Sequence, residues 1–322
     1  MTPPVDASPP PAIVRPAPDC DAATRARILA PRRPGDDVAN LTCSLRLGRG
    51  ERVTKRLLLE GSAASGVIVA CDGGAIGPGE AGAGLLDFAV EIRSRPPAPG
   101  STRWDRPEGV TLRGCAILGH VRIWGMGMNG QGERVRDSSH SLGHTERAQA
   151  AAPSRVSILD SAITAFGRIP VYLGPGVTGF TLRGSTIAGT SSATAVYLDA
   201  ESADNVIADN DFDIRTGREI VAVDGSARNR ITGNRFALHG EGGVRLYRNC
   251  GEGGTVRHQT PSDNVVTGNT FRGAGFFAAP IVVNSRNGWD IHCGADSGYP
   301  FGSSLDNRDN GTGNVVEPNR TE

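Results

Sequence analysis

Lysine is almost absent from this chain of 322 residues: Lys55 stands alone, and nearly all basic charge is arginine. No lysine near the repeats described below can therefore serve as a base. Aromatic residues make up only 5% of the sequence, against 44 glycines and 21 prolines. That balance suits short strands and tight turns rather than helix bundles. The formal net charge is zero, so general binding to nucleic acid or to an anionic membrane has no electrostatic support. No apolar run approaches the ~18 residues of a membrane span. No C-x-x-C spacing points to a zinc cluster or thioredoxin-type chemistry. The start, MTPPVDASPPP, lacks a signal-peptide pattern and reads as a trimmed mature end with an added methionine.

Six cysteines, at 20, 43, 71, 115, 250 and 293, permit fifteen pairings between which sequence does not choose. The pairs expected are Cys20–Cys43 and Cys250–Cys293, with Cys115 either paired or a plain buried thiol. Pairing implies an oxidising setting, periplasmic or secreted.

What the chain has in abundance is one eight-residue phrase. It reads NVIADNDF from Asn205, NRITGNRF from Asn229 and NVVTGNTF from Asn264, with looser copies from Val110, Val156 and Phe180. The starts at Val156, Phe180, Asn205 and Asn229 follow one another at intervals of 24, 25 and 24 residues. A fixed period of that size, each unit carrying a short strand, marks a solenoid. The third and eighth positions are apolar (Ile231 and Phe236, for example) and the sixth is Asn210, Asn234 or Asn269. An inward asparagine at one place in every coil can bond its equivalent about 4.8 Å away as an amide ladder. The expected fold is all-β: a single-stranded right-handed parallel β-helix with an N-terminal cap.

Residues 1–19 are proline-rich and read as extended or disordered, and residues 20–322 as the β-helix. A short helix over 21–30 would close its first end. Loop insertions are expected near 126–153, with room for a short helix, and near 249–262, where the interval from Asn229 to Asn264 stretches to 35 residues. NVVEPN near Asn314 is a decayed last copy. Loops on a rigid scaffold are where function usually sits.

Between the phrases lie second strands, AVYLDAES, EIVAVDGS, GVRLYRNC and PIVVNSRN. Counting back from the asparagine that opens each next phrase puts Val196, Leu198, Ile220, Ala222, Val244 and Leu246 inward. Tyr197, Asp199, Glu201, Arg245 and Tyr247 then project outward, with Asn284 and Arg286 on the next coil and Asp224 and Arg248 at the rim. The insertion carrying Glu252, Arg257 and His258 starts there. This stripe of acids, guanidiniums, a phenol and an imidazole reads as a groove for an extended polar polymer, a polysaccharide or oligosaccharide. Its alternative is an ordinary solvated face. His140, His144 and His239 carry weaker signals.

GREIVAVDGSARNRITGNRF followed by GGVRLYRN resembles the core of the alginate lyase and chondroitinase B family, within the pectate-lyase-like β-helix superfamily. Glu219, Ile220, Ser226, Asn229, Asn234 and Phe236 fit that pattern, and Arg248 falls where the family has its catalytic arginine. The resemblance covers roughly residues 195–275. It implies a uronate polysaccharide lyase, but the place of the family's base lysine falls near Asp224. Of the family's calcium ligands only Glu219 remains, because Gly217 and Ala195 occupy the other places. No cofactor is therefore expected; calcium is possible only with an incomplete ligand set.

Three functions stay open. β-Elimination would use Arg248, with Arg245 or Arg286, to clamp a carboxylate. Tyr247 or His258 would be the base, its pKa lowered by nearby guanidiniums. Hydrolysis would use two carboxylates among Asp199, Glu201, Glu219, Asp224 and Glu252. A non-catalytic polysaccharide-binding β-helix would need neither. The lyase is preferred, with Arg248, Tyr247, His258, Asp224 and Glu219 as catalytic candidates. Tyr197, Asp199, Glu201, Arg245 and Arg286 are the candidates for substrate contact.

Overall fold

In the computed structural model, which describes residues 14–82, 88–127, 132–273, 279–285 and 310–322, the eight-residue phrase holds two strands rather than one. In NRITGNRF these are Arg230–Thr232 and Arg235–Ala237. The break falls at the fifth position, where Gly114, Asp160, Gly184, Asp209, Gly233 and Gly268 all have positive φ, between 48° and 69°. Glycine, and aspartate with its short polar side chain, tolerate that left-handed conformation best. A second such residue precedes the phrase, as at Asp204, Arg228 and Asp263. Each coil therefore turns two sharp corners and contributes three strands.

Among the described residues the coils stack into three parallel sheets of nine, eight and nine strands, each strand pairing with its equivalents on neighbouring coils. This is a right-handed parallel β-helix, as the repeat predicts. Its interior is one continuous apolar column, in which Phe212, Phe236 and Phe271 stack with ring centroids 4.9 Å apart.

The ladder is present twice. At the sixth position the backbone N–H groups of Ser185, Asn210, Asn234 and Asn269 donate to Oδ1 of Asn210, Asn234, Asn269 and Asn319 at 2.9–3.0 Å. At the first position Phe180, Asn205, Asn229 and Asn264 donate in the same way to Asn205, Asn229, Asn264 and Asn314. Each buried amide thus satisfies a corner N–H that no strand partner reaches. NVVEPN supplies the last rung of both ladders.

Early coils are fastened differently. Cys20–Cys43 is formed as expected. Cys115 is not a free thiol but is bonded to Cys71, one coil away. Cys293 lies outside the described residues, and with it the expected pair to Cys250. Helix α1 (Ala22–Leu29) stands at the first end, its N-terminus capped by the Asp21 carboxylate and its Ile28 in the core. Of the proline-rich stretch, residues 14–19 are described, and they are ordered rather than free. Ala17 donates to the Gly66 carbonyl, and the Ser44 N–H donates to Pro18. The insertion after Trp124 contains two helices where room for one was expected, α2 (Glu133–Ser139) and α3 (His144–Ala151).

Candidate active site

On the first sheet Val221 pairs with Val196 on one side and Val244 on the other, and Val223 with Leu198 and Leu246. Val221 and Val223 are therefore the inward pair of their strand and Ala222 faces outward, while Ile220, at the corner before the strand, lies in the core as expected. The turn after Asp199 is one residue longer than the turn after Asp224, so counting back from the next asparagine slipped the register by one. Such a slip exchanges the two faces of a strand. Two outward columns result. One runs Glu91, Arg122, Tyr172, Tyr197, Ala222, Arg245. In the other, Asp224 lies beside Tyr247, and Asp199 occupies the equivalent place one coil earlier.

The second column is sealed. Asp199, Glu201 and Asp224 are 2%, 1% and 0% exposed, and Glu219, Tyr247 and Arg248 are buried with them. The expectation that all of these line an open wall is thus corrected for the acids, for Tyr247 and for Arg248. Over Asp199, Glu201, Asp224 and Arg248 lies the 249–262 insertion, with α2 and α3 packed against it. Val256 N–H donates to Ser139 Oγ, and His258 Nε2 bonds the Ser139 carbonyl at 2.7 Å. His140 Nε2 bonds the Gly254 carbonyl. Glu201 receives the His258 N–H at 2.8 Å and the Thr145 hydroxyl. Arg248 Nη1 donates to the Arg257 and His258 carbonyls. Glu201, Arg248 and His258 therefore hold the cover in place. Of the weaker histidines, His144 packs its ring 5.1 Å from that of His258, and His239 pairs with Asp213 away from this face.

At the centre Arg257 inserts from the insertion between two carboxylates. Its Nη1 lies 2.8 Å from Asp224 Oδ2 and 3.1 Å from Asp199 Oδ1. Two phenols complete the cluster: Tyr172 donates to Asp199 Oδ2 at 2.5 Å, and Tyr197 donates to Asp224 Oδ2. The Asn249 N–H gives Asp224 a further bond at 2.6 Å. Burial raises the Asp224 carboxyl above the ordinary carboxylate range; Arg257 opposes this and Asp199 adds to it. Burial raises both phenols too, with the carboxylates adding, so both stay protonated and donate. Sequence reasoning missed Tyr172 and the part played by Arg257. The repetition of Val-Tyr-Leu at 171–173 and 196–198 was the available signal for Tyr172.

The first column is less covered: Arg122, Tyr197 and Arg245 are half-buried, as is Arg218 beside them. Arg218 Nη2 lies 3.0 Å from Glu219 Oε1 and donates to the Tyr247 oxygen at 2.7 Å. Arg245 Nη1 is 3.7 Å from Glu219 Oε2. Burial, with Asp224 and Glu219 adding, raises the Tyr247 phenol, which overturns the expectation that neighbouring guanidiniums lower it. Two guanidiniums flank Glu219, so this carboxylate does not fit a divalent cation. Arg286 and the Glu252 side chain lie outside the described residues.

The family model described as right handed beta helix region matches residues 106–294, more than half of the chain. Among solved structures, the alginate lyase from Paenibacillus sp. str. FPU-7 aligns with a TM-score of 0.46 at 9% identity, over 93% of this chain and 96% of that one. The DFA-IIIase from Arthrobacter chlorophenolicus A6 in complex with GF2 gives 0.34 at 14% identity, over 86% of this chain and 68% of that one. The periplasmic alginate epimerase AlgG gives 0.25 at 13% identity, over 92% and 80%. No curated protein matches the sequence. Likenesses this distant carry nothing about chemistry, which has to come from the side chains above. The match across the coils, together with the three stacked sheets and paired asparagine ladders, places the chain: it belongs to the right-handed beta helix family.

Proposed function

We propose that this protein is a polysaccharide-acting enzyme, and more finely a lyase that cleaves a uronic-acid-containing chain by β-elimination on the outward face of the first sheet. The observation that carries the reading is the Tyr197–Asp224 pair. A half-buried phenol at the face donates its hydrogen to a sealed carboxylate whose affinity for a proton is raised by burial. Arg245 stands two coils along the same column, with Arg218 beside it. A guanidinium there can meet a uronate carboxylate through two parallel hydrogen bonds.

The step balances within these groups. As the sugar C5–H bond breaks, the Tyr197 oxygen takes the proton and its own proton moves to Asp224. The C–H electron pair forms the C4–C5 double bond, the C4–O bond breaks, and the charge gathering on the carboxylate is met by Arg245 or Arg218. Tyr197 then protonates the leaving oxygen and Asp224 returns its proton to the phenol. Hydrolysis is less well supported, because it needs two carboxylates facing the glycosidic bond. Asp199 and Asp224 face Arg257 instead. The disulfides suit a periplasmic or secreted protein.

The test is a screen of mannuronate, guluronate, galacturonate and glucuronate polymers for the ultraviolet absorbance of an unsaturated product. Elimination gives that signal, and Tyr197→Phe lowers kcat about 10²–10⁴-fold, the usual worth of a positioned acid–base group. New reducing ends without the absorbance, or full activity in Tyr197→Phe, would sink the proposal.

A further inference from the structure

Arg122 is a cation on this face with no acidic partner among the described residues. Val121 and Ile123 point into the core, so alternation turns Arg122 outward, between Glu91 on one neighbouring strand and Tyr172 on the other. Its guanidinium carbon lies 4.8 Å from the centroid of the Tyr172 ring and 5.7 Å from that of Phe88. Glu91 would be the natural partner, but it is already used. Arg93 lies 3.1 Å away and Arg56 3.3 Å, and the Trp124 indole donates to it at 2.8 Å. Among the described residues no carboxylate or other acceptor bonds Arg122. Burial pushes its pKa down to about 10. Aromatic faces return part of the cost of desolvating a cation, but they leave its N–H edge unpaired.

We propose that Arg122 is a second carboxylate-binding subsite, specific for an acidic sugar bound away from the point of cleavage. The two rings hold the guanidinium, and its planar edge remains for the bidentate bonds that carboxylates accept. This deepens the proposed function and rests on it for the substrate class. The register sets the distances: Tyr197 is two strands from Arg122 and Arg245 is four. At one strand spacing per coil these are about 10 Å and about 19 Å. A disaccharide engaged at Tyr197 does not span that length, whereas an oligomer does. The subsite therefore selects for chain length as well as for charge.

The test measures binding in the Tyr197→Phe background, so that ligand persists, by calorimetry at fixed ionic strength. The probes are dimers and hexamers of mannuronate, guluronate and galacturonate, with carboxyl-reduced hexamers and a sulfated dextran oligomer as controls. At least one uronate hexamer binds more tightly than its dimer. Arg122→Gln weakens that hexamer about 10-fold and leaves the dimer and the reduced hexamer unchanged. Arg122→Lys, which keeps the charge but not the planar fork, falls between. Unchanged melting temperatures confirm that both variants fold. The subsite is overturned if Arg122→Gln binds the hexamer as well as its parent does, or loses the reduced hexamer equally. It is also overturned if the sulfated oligomer shows the same dependence on Arg122, or if no uronate hexamer binds. The two readings fail separately. Elimination without an Arg122 effect removes only the subsite, and Arg122-dependent binding without elimination removes only the lyase.

Discussion

Where the second and third sheets meet, each late coil bonds to its neighbour through the same residue in the same place: asparagine on asparagine, phenylalanine on phenylalanine. On the outward face of the first sheet the residue changes at nearly every step, from Glu91 to Arg122, Tyr172, Tyr197, Ala222 and Arg245. Repetition of identical groups serves stacking, because each rung satisfies the next. Variation suits recognition, because a polymer lying across the coils would meet a different side chain on each. The contrast is also one of range. Ladder partners come from the same place on neighbouring coils, whereas Arg257 reaches its two carboxylates from an inserted loop.

The largest expected effect lies at that reach. Arg257→Met leaves Asp199 and Asp224 buried together without their cation, at a cost of about 3–5 kcal/mol. Denaturant melts would show it, and the triple variant D199N/D224N/R257M should recover most of the loss. If the single change costs nothing, the charged cluster is not what holds the cover. Asn234→Ala tests the other side. It strands the Asn210 N–H and the Ile207 carbonyl, which the amide now satisfies, at about 1–3 kcal/mol. Catalytic rate in folded enzyme should be unchanged; a change would mean that the two sides are coupled.

The smallest effect is a pH slope. Burial, then His258 close by, lowers His144 from 6.5 to about 3, so it stays neutral in the fold. The unfolded chain binds a proton below pH 6.5 and the folded one does not. Stability from this group is therefore complete above pH 6.5 and is lost as pH falls toward 3. Between pH 6.5 and 5.5 the loss is about 1 kcal/mol, from the free-energy worth of one pKa unit. Thermal melts across that interval should show the slope, and His144→Gln should flatten it.

The fold was legible because its signal repeats. Three clear copies of one phrase fixed the coil length, the asparagine rows and the phenylalanine stack. The division of the phrase into two strands is also written in the glycine or aspartate at every fifth position. The site was read less well for a physical reason. Turn lengths differ by one residue between the coils of Asp199 and Asp224, and a single-residue error turns Ala222 and Val223 to the wrong sides. Burial of Asp199, Glu201 and Arg248 depends on how two insertions fold onto the sheet and onto each other, and no periodicity reports that. Arg122 went unnoticed because its strand belongs to an early coil outside the repeated phrase.

The position of Arg257 along the chain has a consequence for assembly. A cylinder of this kind can be wound from one end, each new turn finding its predecessor already in place. This wall cannot be completed in that order, because both aspartates are laid down well before the arginine that bridges them. Until the later loop returns, they face water as an ordinary acidic patch, and the sealed cluster, two carboxylates sharing one guanidinium, comes into being only when the loop closes over it.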